Sequence, residues 1–320
     1  MSFVLPIIMF AIGVAVVVYG GDAFVDASTW IAEKTGIPKF VIGATVVSLA
    51  TSLPEVIVSI MATAEGSVDM AVGNGIGSVS ANIGLIMGIS LTALPSKIDD
   101  QIFWAKGTLM LATTLLLGIF VMDGQLNVLE SFVMLVLLCL FIYLNLHSLK
   151  TADSSREGRI RREKVPRKDI FVNLMKFLLG VGGILVGAQL LVNNGSTLAR
   201  LMGVPEVLIG ITLIAVGTSL PELITTISAI TKKESSLSIG NIIGANIIDI
   251  TLILSSCTLI SKGPLPVASQ TASLDIPVTF MLMVIAVLPA IVKKRFYCWQ
   301  GIALLGVYVS YIVYISILLK

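Results

Sequence analysis

Ten long apolar stretches, separated by short polar turns, make up almost the whole chain. The first five cover residues 3–32, 39–64, 69–94, 102–122 and 128–149, and the second five cover 170–199, 205–231, 236–260, 272–292 and 299–319. About 20 consecutive apolar residues allow an α-helix to cross the hydrocarbon core of a bilayer. The pattern therefore predicts an all-α integral membrane protein with ten transmembrane helices.

Composition supports this prediction and excludes a soluble protein. The chain is 56% hydrophobic and 12% charged, with a mean hydropathy of +1.00, whereas about 25% of residues are charged in ordinary soluble domains. The three cysteines, Cys139, Cys257 and Cys298, lie far apart and have neither a disulfide pattern nor a metal-binding spacing. We expect the lipid bilayer to be the chain's main partner, with no nucleic acid and no obligate protein partner.

Positive charges predict the orientation of the ten spans. Eight lysines and arginines fall in the hydrophilic stretch 150–169, which we place in the cytoplasm because cytoplasmic loops carry an excess of such residues. Counting spans outward from this stretch brings most of the remaining positive charges to the same side, namely Lys34, Lys39, Lys97, Lys106, Lys232, Lys233, Lys293, Lys294 and Arg295. We therefore expect a multi-pass protein of the cell membrane with both termini outside.

The two groups of five spans are copies of one another. Glu222 minus Glu55 is 167, and this single offset also aligns Gly36 with Gly203, Pro38 with Pro205, Gly73 with Gly240, and Asn74 with Asn241. Five is an odd number, so the second copy must enter the membrane from the opposite side. We predict a first five-helix repeat at 1–149 (α-repeat about 40–94), a cytoplasmic linker at 150–169, and a second, inverted repeat at 170–320 (α-repeat about 207–260). Inverted repeats are typical of secondary transporters, so we expect a transporter and no enzyme activity.

One motif places a proline and a carboxylate inside an apolar span. GATVVSLATSLPE at 43–55 returns as GITLIAVGTSLPE at 210–222. Proline has no N–H, and its ring clashes with the carbonyl four residues earlier, so Pro54 and Pro221 should break the helical hydrogen bonding. We expect nearby backbone carbonyls to turn toward a polar cavity, in particular those of Ser48, Thr51, Ala215 and Thr218.

The two glutamates of the motif call for a compensating charge. A charged side chain at the centre of a bilayer costs roughly 2.5–3.5 kcal/mol on insertion scales, and no lysine or arginine is predicted at the depth of Glu55 and Glu222. A bound cation would provide that charge, held together with the hydroxyls of Thr51, Ser52, Thr218 and Ser219. The alternative is a proline kink at which both glutamates are protonated and hydrogen-bonded.

The third and eighth spans add a row of polar positions. Asn74, Ser78 and Asn82 are spaced by four residues, as are Asn241, Ala245 and Asp249, so each set lies near one face of its helix. For Asn74 and Asn241, hydrogen bonding between helices is at least as good an interpretation as ion binding. For Asn82 and Asp249, which occupy equivalent repeat positions, the sequence favours ion binding.

The predicted ligands are all oxygen atoms, which suits Na⁺, Ca²⁺ or Mg²⁺ rather than zinc or copper. Ca²⁺ accepts six to eight oxygens in a flexible geometry, whereas Mg²⁺ retains most of its water. Two carboxylates would balance one Ca²⁺. The chemistry therefore favours Ca²⁺, with Na⁺ or H⁺ as competitors, and we expect transported ions rather than a resident cofactor.

These motifs resemble the two α-repeats of the Ca²⁺/cation antiporter superfamily, and most closely those of prokaryotic Na⁺/Ca²⁺ exchangers. The resemblance rests on 43–55 with 73–82 and on 210–222 with 240–249, and it covers essentially the whole chain. It implies Ca²⁺ ligands at Glu55, Glu222, Thr51 and Thr218. It implies Na⁺ ligands at Ser52, Ser219, Ser78, Asn82 and Asp249, and through backbone carbonyls at Ser48 and Ala215. One position departs from the pattern, since Ala245 stands where the family has a serine.

The predicted function is the exchange of Ca²⁺ for Na⁺ by alternating access at a midplane site between the repeats. An H⁺/Ca²⁺ antiporter of the same fold is the main alternative; a Ca²⁺ channel and an intramembrane acid protease are weaker ones. The protease would need two aspartates that share a proton, whereas the matched pair here is Glu with Glu. The resemblance also implies that the long first and sixth spans slide across the ion-binding core. Asp22 and Asp26, late in the first span, are interpreted as a polar patch.

Overall fold

Helices account for nearly all of the architecture, as the apolar stretches predict. The computed structural model describes residues 3–95, 101–154, 166–203, 215–261 and 263–318. In chain order the helices are α1 (Val4–Thr35), α2 (Lys39–Ala64), α3 (Val68–Ala93), α4 (Gln101–Phe120), α5 (Val128–Ser154), α6 (Arg167–Leu201), α7 (Leu220–Thr231), α8 (Ser235–Ile260), α9 (Thr271–Lys293) and α10 (Cys298–Leu318).

The prediction of a ten-helix membrane protein is confirmed. Within the described ranges, nine helices are long and apolar enough to cross a membrane, and α7 is a shorter apolar helix. A single turn, Ala215–Thr218, precedes α7. The start of the predicted seventh span, including Pro205 and the segment 210–214 of the second motif, lies outside the described residues. The ends of the predicted linker are helical, since α5 continues to Ser154 and α6 begins at Arg167.

Burial separates an inner core from peripheral helices. The most apolar 18-residue window of α8 is 83% buried and that of α3 is 72% buried, whereas the values are 17% for α6, 22% for α1 and α5, and 28% for α10. The core of the protein is therefore built around α3 and α8. Helices α1 and α6 lie outside it and pack mainly against each other.

Glycines bring the backbones of several helices into direct contact. A Cβ atom on Gly20 of α1 would lie 2.8 Å from the backbone nitrogen of Ile184, and one on Gly180 of α6 would lie 2.7 Å from that of Phe24. Between α2 and α8 the approach is closer still, because a Cβ on Gly43 or on Gly240 would lie 2.2 Å from a carbonyl oxygen of the facing helix. Small residues at such crossings are characteristic of membrane helix packing.

Structural details recur at the offset found in the sequence. A π-helical turn begins at Asn82 in α3 and another at Asp249 in α8, and 249 minus 82 is 167. Gly36 and Gly203, which follow α1 and α6, both adopt positive φ angles, of 69° and 80°. The connection before α5 and the connection before α9 pair as a two-stranded antiparallel ribbon, β1 (Gln125–Leu126) and β2 (Leu265–Pro266).

Candidate functional site

Helix α2 carries the first motif on a buried face. Ser48, Thr51, Ser52 and Glu55 are all at most 3% exposed. The helix is not interrupted at Pro54, because the α-helical part of α2 runs from Ser48 to Ala64 with the proline inside it. The proline still removes the N–H that would bond to the carbonyl of Ala50. A proline in a helix interior costs about 3 kcal/mol. The close packing of α2 on α8 offsets this cost and keeps the segment helical.

The second motif does break the helix. Its one-turn helix ends at Thr218, Ser219 leaves helical geometry with φ −87° and ψ 9°, and α7 begins at Leu220. Pro221 thus occupies the first turn of α7, where its missing N–H is tolerated. Glu222 lies in the same turn, near the positive end of the helix dipole, which stabilises a carboxylate.

The second-motif residues lie at this break. Ser219 is 2% exposed and Glu222 is 1% exposed, while Thr218 is half-buried. Ala215 is the first residue of the turn that leads into the break. Its backbone carbonyl is the feature assigned to ion binding, and that assignment stays a prediction.

The π-helical turns position the polar residues of α3 and α8. Asn82 and Asp249 are the first residues of their turns, and each is 1% exposed. Such turns widen the helix by one residue and occur frequently at functional sites. One turn earlier on the same faces lie Ser78, 2% exposed, and Ala245, fully buried.

The two halves meet through these residues. Thr51 donates a hydrogen bond to Oδ1 of Asn241 over 3.3 Å, and the hydroxyl of Ser52 lies 3.5 Å from Oε1 of Glu222. Helix α2 packs against the π-helical turn that starts at Asp249, and α7 packs against the turn that starts at Asn82. Each motif helix of one half therefore contacts the polar turn of the other.

Many oxygen atoms at this junction are buried without a hydrogen-bond partner. They are Oε1 and Oε2 of Glu55, Oε2 of Glu222, Oδ1 and Oδ2 of Asp249, Oδ1 of Asn82, and the hydroxyls of Ser78 and Ser219. None of the ion pairs among the described residues involves the three carboxylates. A buried polar atom without a partner costs about 1–3 kcal/mol, and more when charged. The donor set fits a hard cation that would satisfy several of these oxygens at once.

The carboxylates alone do not form a metal centre. Glu55 is close enough to Glu222 and Asp249 for their charges to repel. Across the described chain, however, no three His, Cys, Asp or Glu side chains are grouped as a metal site. A cation here would therefore need hydroxyl, amide or carbonyl oxygens in addition to carboxylates, as the motif pattern predicts.

Several polar residues near the site have structural partners. Asn74 donates to the backbone carbonyl of Glu55 over 3.2 Å and to the hydroxyl of Ser59 over 2.9 Å, which agrees with the helix-bonding interpretation. Ser59 and its repeat counterpart Thr226 lie outside the predicted motifs, although 226 minus 59 is again 167. Ser59 bonds to the carbonyl of Ala71, and Thr226 accepts from Ser238, so equivalent contacts join α2 to α3 and α7 to α8.

Two further sets of charged residues lie away from the motif residues. Lys106 is fully buried in α4, where it donates to Asn145 of α5 and lies 5.1 Å from the centre of the Phe40 ring. Asp22 and Asp26 do not reach the motif residues with a hydrogen bond; both lie against Lys232, at the end of α7.

Comparison with known proteins identifies related chains. The family described as sodium/calcium exchanger protein matches residues 5–147 and 172–317. The inner membrane protein YrbG of Escherichia coli is 35% identical over 256 residues, which cover 79% of each chain. The sodium/calcium exchanger MaX1 of Methanosarcina acetivorans is 30% identical over 345 residues, covering 94% of this chain and 96% of its own.

A solved structure of the sodium-calcium exchanger NCX_Mj superposes with a TM-score of 0.84 at 30% identity, covering 98% of this chain and 99% of that one. The similarity therefore extends to the whole ten-helix architecture. It includes the four helices that carry the candidate site.

Proposed function

The chain belongs to the sodium/calcium exchanger protein family, and from this premise we propose that it exchanges Ca²⁺ for Na⁺ across the membrane. As a member of this family it is a multi-pass cation/Ca²⁺ antiporter rather than an enzyme. The finer proposal concerns the ions, the residues that hold them and the mechanism. We assign ion binding to the junction between α2, α3, α7 and α8.

One observation carries the proposal. Glu55, Glu222 and Asp249 are buried together, and five of their six carboxylate oxygens have no hydrogen-bond partner. Buried charges in proteins are paired or coordinate metal ions. Ca²⁺ would supply two positive charges to Glu55 and Glu222, while Na⁺ would bind the smaller oxygen groups around them, including Ser78, Asn82 and Asp249.

The same charges support alternating access. A ligand shifts a two-state protein only by binding the two states differently. With Ca²⁺ bound, the charges of Glu55 and Glu222 are balanced and the site can pass through a closed intermediate. Without ions, closing would desolvate three repelling negative charges, at a cost of several kcal/mol per ion. Uncoupled movement of the empty protein is thereby suppressed, which is the requirement for exchange.

A second candidate function is H⁺/Ca²⁺ antiport. It is favoured by Ala245, a fully buried methyl group at the position equivalent to Ser78. The missing hydroxyl removes one oxygen from the groups available to Na⁺. A proton needs no such ligand, since it binds directly to a carboxylate.

We further propose the topology that the positive charges indicate. The chain would lie in the cell membrane with residues 150–169 in the cytoplasm and both termini outside. Lys39 and Glu234, whose side chains pair over 2.6 Å, place the start of α2 and the turn after α7 at the same face, consistent with this arrangement.

Transport into vesicles tests the assignment. Glu55→Gln and Glu222→Gln each remove a buried charge, and we expect Na⁺-gradient-driven ⁴⁵Ca²⁺ uptake to fall by about 30-fold or more, since loss of a buried charged partner costs about 2–5 kcal/mol. Glu65→Gln, at the exposed end of α2, is the matched control and should transport normally. Full uptake in either buried-site variant would overturn the site assignment.

The coupling ion is tested separately. Wild-type vesicles are given a Na⁺ gradient at equal pH, or a pH gradient without Na⁺. Uptake with the first gradient alone supports Na⁺/Ca²⁺ exchange. Uptake with the second alone establishes the H⁺-coupled alternative and refutes the Na⁺ assignment.

A further inference from the structure

The peripheral pair α1 and α6 makes charged contacts with the core at one end, beside an apolar cluster in which Phe24 and Val25 of α1 pack with Ile42, Ala229 and Leu237 of the core. Helix α1 carries no charged residue before Asp22, so ionic contacts can form only along its second half. There, Lys232 at the end of α7 lies 2.5 Å from Oδ1 of Asp26 and 3.7 Å from Oδ1 of Asp22. Lys232 also donates to the backbone carbonyl of Asp22 over 3.0 Å, and Ser228 donates to the carboxylate of Asp22 over 3.0 Å.

A second set of contacts lies at the same end. Lys39, the first residue of α2, lies 3.5 Å from Glu33 of α1 and 2.6 Å from Glu234 in the turn after α7. The side chains of Lys39 and Lys232 are 31% and 25% exposed, and their partners Asp22, Asp26 and Glu33 are 47%, 57% and 60% exposed, so these ion pairs are partly exposed. Lys39 and Lys232 of the core thus form ion pairs with acidic residues of α1. Lys39 also connects α2 to the turn that follows α7.

The remainder of the pair is held differently. Helices α1 and α6 run antiparallel, since Gly13 faces Gly187 and Gly20 faces Gly180. Their contact with each other is apolar and glycine-lined, and most of their outer surface is exposed to the membrane. Helix α1 also packs closely on α7, since a Cβ atom on Gly21 would lie 2.8 Å from the side chain of Ile224. The charge pairs add directional contacts to this packing at the end of α1.

We propose that Lys232 is a positioning residue that holds α1 against α7 and keeps this face of the protein closed, an inference that rests on the alternating access proposed above. Opening of this face would require the end of α1 to leave Lys232, which breaks the contacts to Asp22 and Asp26. The group of Lys232, Asp22, Asp26 and Ser228, here called the clasp, therefore biases the protein toward the state that is open on the opposite face. Weakening the clasp should increase the fraction of protein that is open on the face that carries the clasp.

The neighbouring residue offers a matched control. Lys233 carries the same charge one position later but is exposed, and it adopts a left-handed conformation with φ 59°. Lys232→Gln removes the clasp contacts, whereas Lys233→Gln changes the net charge of the same turn equally. An effect of turn charge alone would appear in both variants.

Buried serines provide reporters at the two ends. Ser28 lies on α1 beyond the clasp residues and is fully buried; Ser196, 5% exposed, lies near the other end of the pair on α6. Neither hydroxyl has a hydrogen-bond partner, so Ser28→Cys and Ser196→Cys should be tolerated. The exposed thiols of Cys139 and Cys298 are first replaced by serine, and buried Cys257 is retained.

The measurement is the rate at which a charged, membrane-impermeant thiol reagent labels each cysteine from its own face. A few partly exposed ion pairs are worth roughly 3- to 10-fold in a population ratio. In Lys232→Gln we expect labelling of Ser28→Cys to accelerate by about that factor and labelling of Ser196→Cys to slow, because the two faces open alternately. In Lys233→Gln both rates should stay within about 2-fold of the parent protein.

A charge exchange separates positioning from loss of local structure. Lys232→Asp alone should accelerate labelling at Ser28→Cys, and adding Asp26→Lys should restore the parent rate. Equal rates in Lys232→Gln and the parent, acceleration at both reporters, or failure of the exchange to restore the rate would each overturn the proposal. The labelling does not depend on which ion is carried. A clasp effect in a protein without Na⁺-driven Ca²⁺ uptake would refute the proposed function and leave the clasp intact.

Discussion

The contact between α2 and α8 leads to a prediction about a single methyl group. A Cβ atom on Gly240 of α8 would lie 2.2 Å from the carbonyl oxygen of Phe40, far inside van der Waals contact with a backbone atom that cannot rotate away. Gly240→Ala must therefore push the helices apart by nearly an ångström. Such overpacking costs about 1–3 kcal/mol, or more when backbone must move.

The same displacement reaches the junction to which we assign ion binding. Asn241, the next residue, accepts the hydrogen bond of Thr51, and α8 also carries Asp249. A shift of α8 would lengthen the hydrogen bond between Thr51 and Asn241, and it would move the carboxylate of Asp249. We therefore expect Gly240→Ala to lower both the unfolding temperature in detergent and the rate of Ca²⁺ uptake in vesicles.

The chain contains its own control for this substitution. Gly73 occupies the equivalent position in α3, since 240 minus 73 is 167, yet a Cβ there has no atom within 4 Å. Because alanine is favoured over glycine in a helix by about 1 kcal/mol, Gly73→Ala should be neutral or stabilising. If Gly240→Ala unfolds no earlier than Gly73→Ala and transports as well, the close packing of α2 on α8 does not support the site.

Two further predictions concern Ala245 and the buried lysine of α4. Ala245→Ser would restore the oxygen present at Ser78, and we expect uptake to reach half its maximum at a lower Na⁺ concentration with little change in Ca²⁺ dependence; an unchanged Na⁺ requirement would contradict a role for this position. Asn145→Leu removes an acceptor of the Lys106 ammonium and should lower the unfolding temperature by the equivalent of about 1.5–3 kcal/mol. The double variant Lys106→Met/Asn145→Leu should recover part of that loss, and a melting point below that of Asn145→Leu would contradict it.

The number of helices could be predicted from the sequence because the membrane imposes a simple rule. Every backbone polar group in lipid must be satisfied within the helix, so a long apolar stretch has few alternatives. The burial of Glu55 and Glu222 could be predicted for a similar reason, because both residues lie inside long apolar stretches. The offset of 167 residues also relates Ser59 to Thr226, so this pair of hydroxyl residues can be recognised from the sequence.

What could not be predicted depends on contacts between distant segments. The two copies of Thr-Ser-Leu-Pro-Glu are identical, yet α2 stays helical through Pro54 while the second copy breaks at Ser219. The cost of a proline is local, but the packing that offsets it is tertiary. Lys106 and Asn145 lie 39 residues apart, and no local pattern relates one to the other.

The ribbon of β1 and β2 connects the loop before α5 to the loop before α9, and so connects one half of the molecule to the other. Its cross-links are backbone hydrogen bonds, which do not depend on the identity of most side chains. Mutations can therefore accumulate in either half without separating the two at this face. Asn82 and Asp249, which are related by the offset of 167, differ in charge, so the ribbon connects two halves whose polar turns are not equivalent.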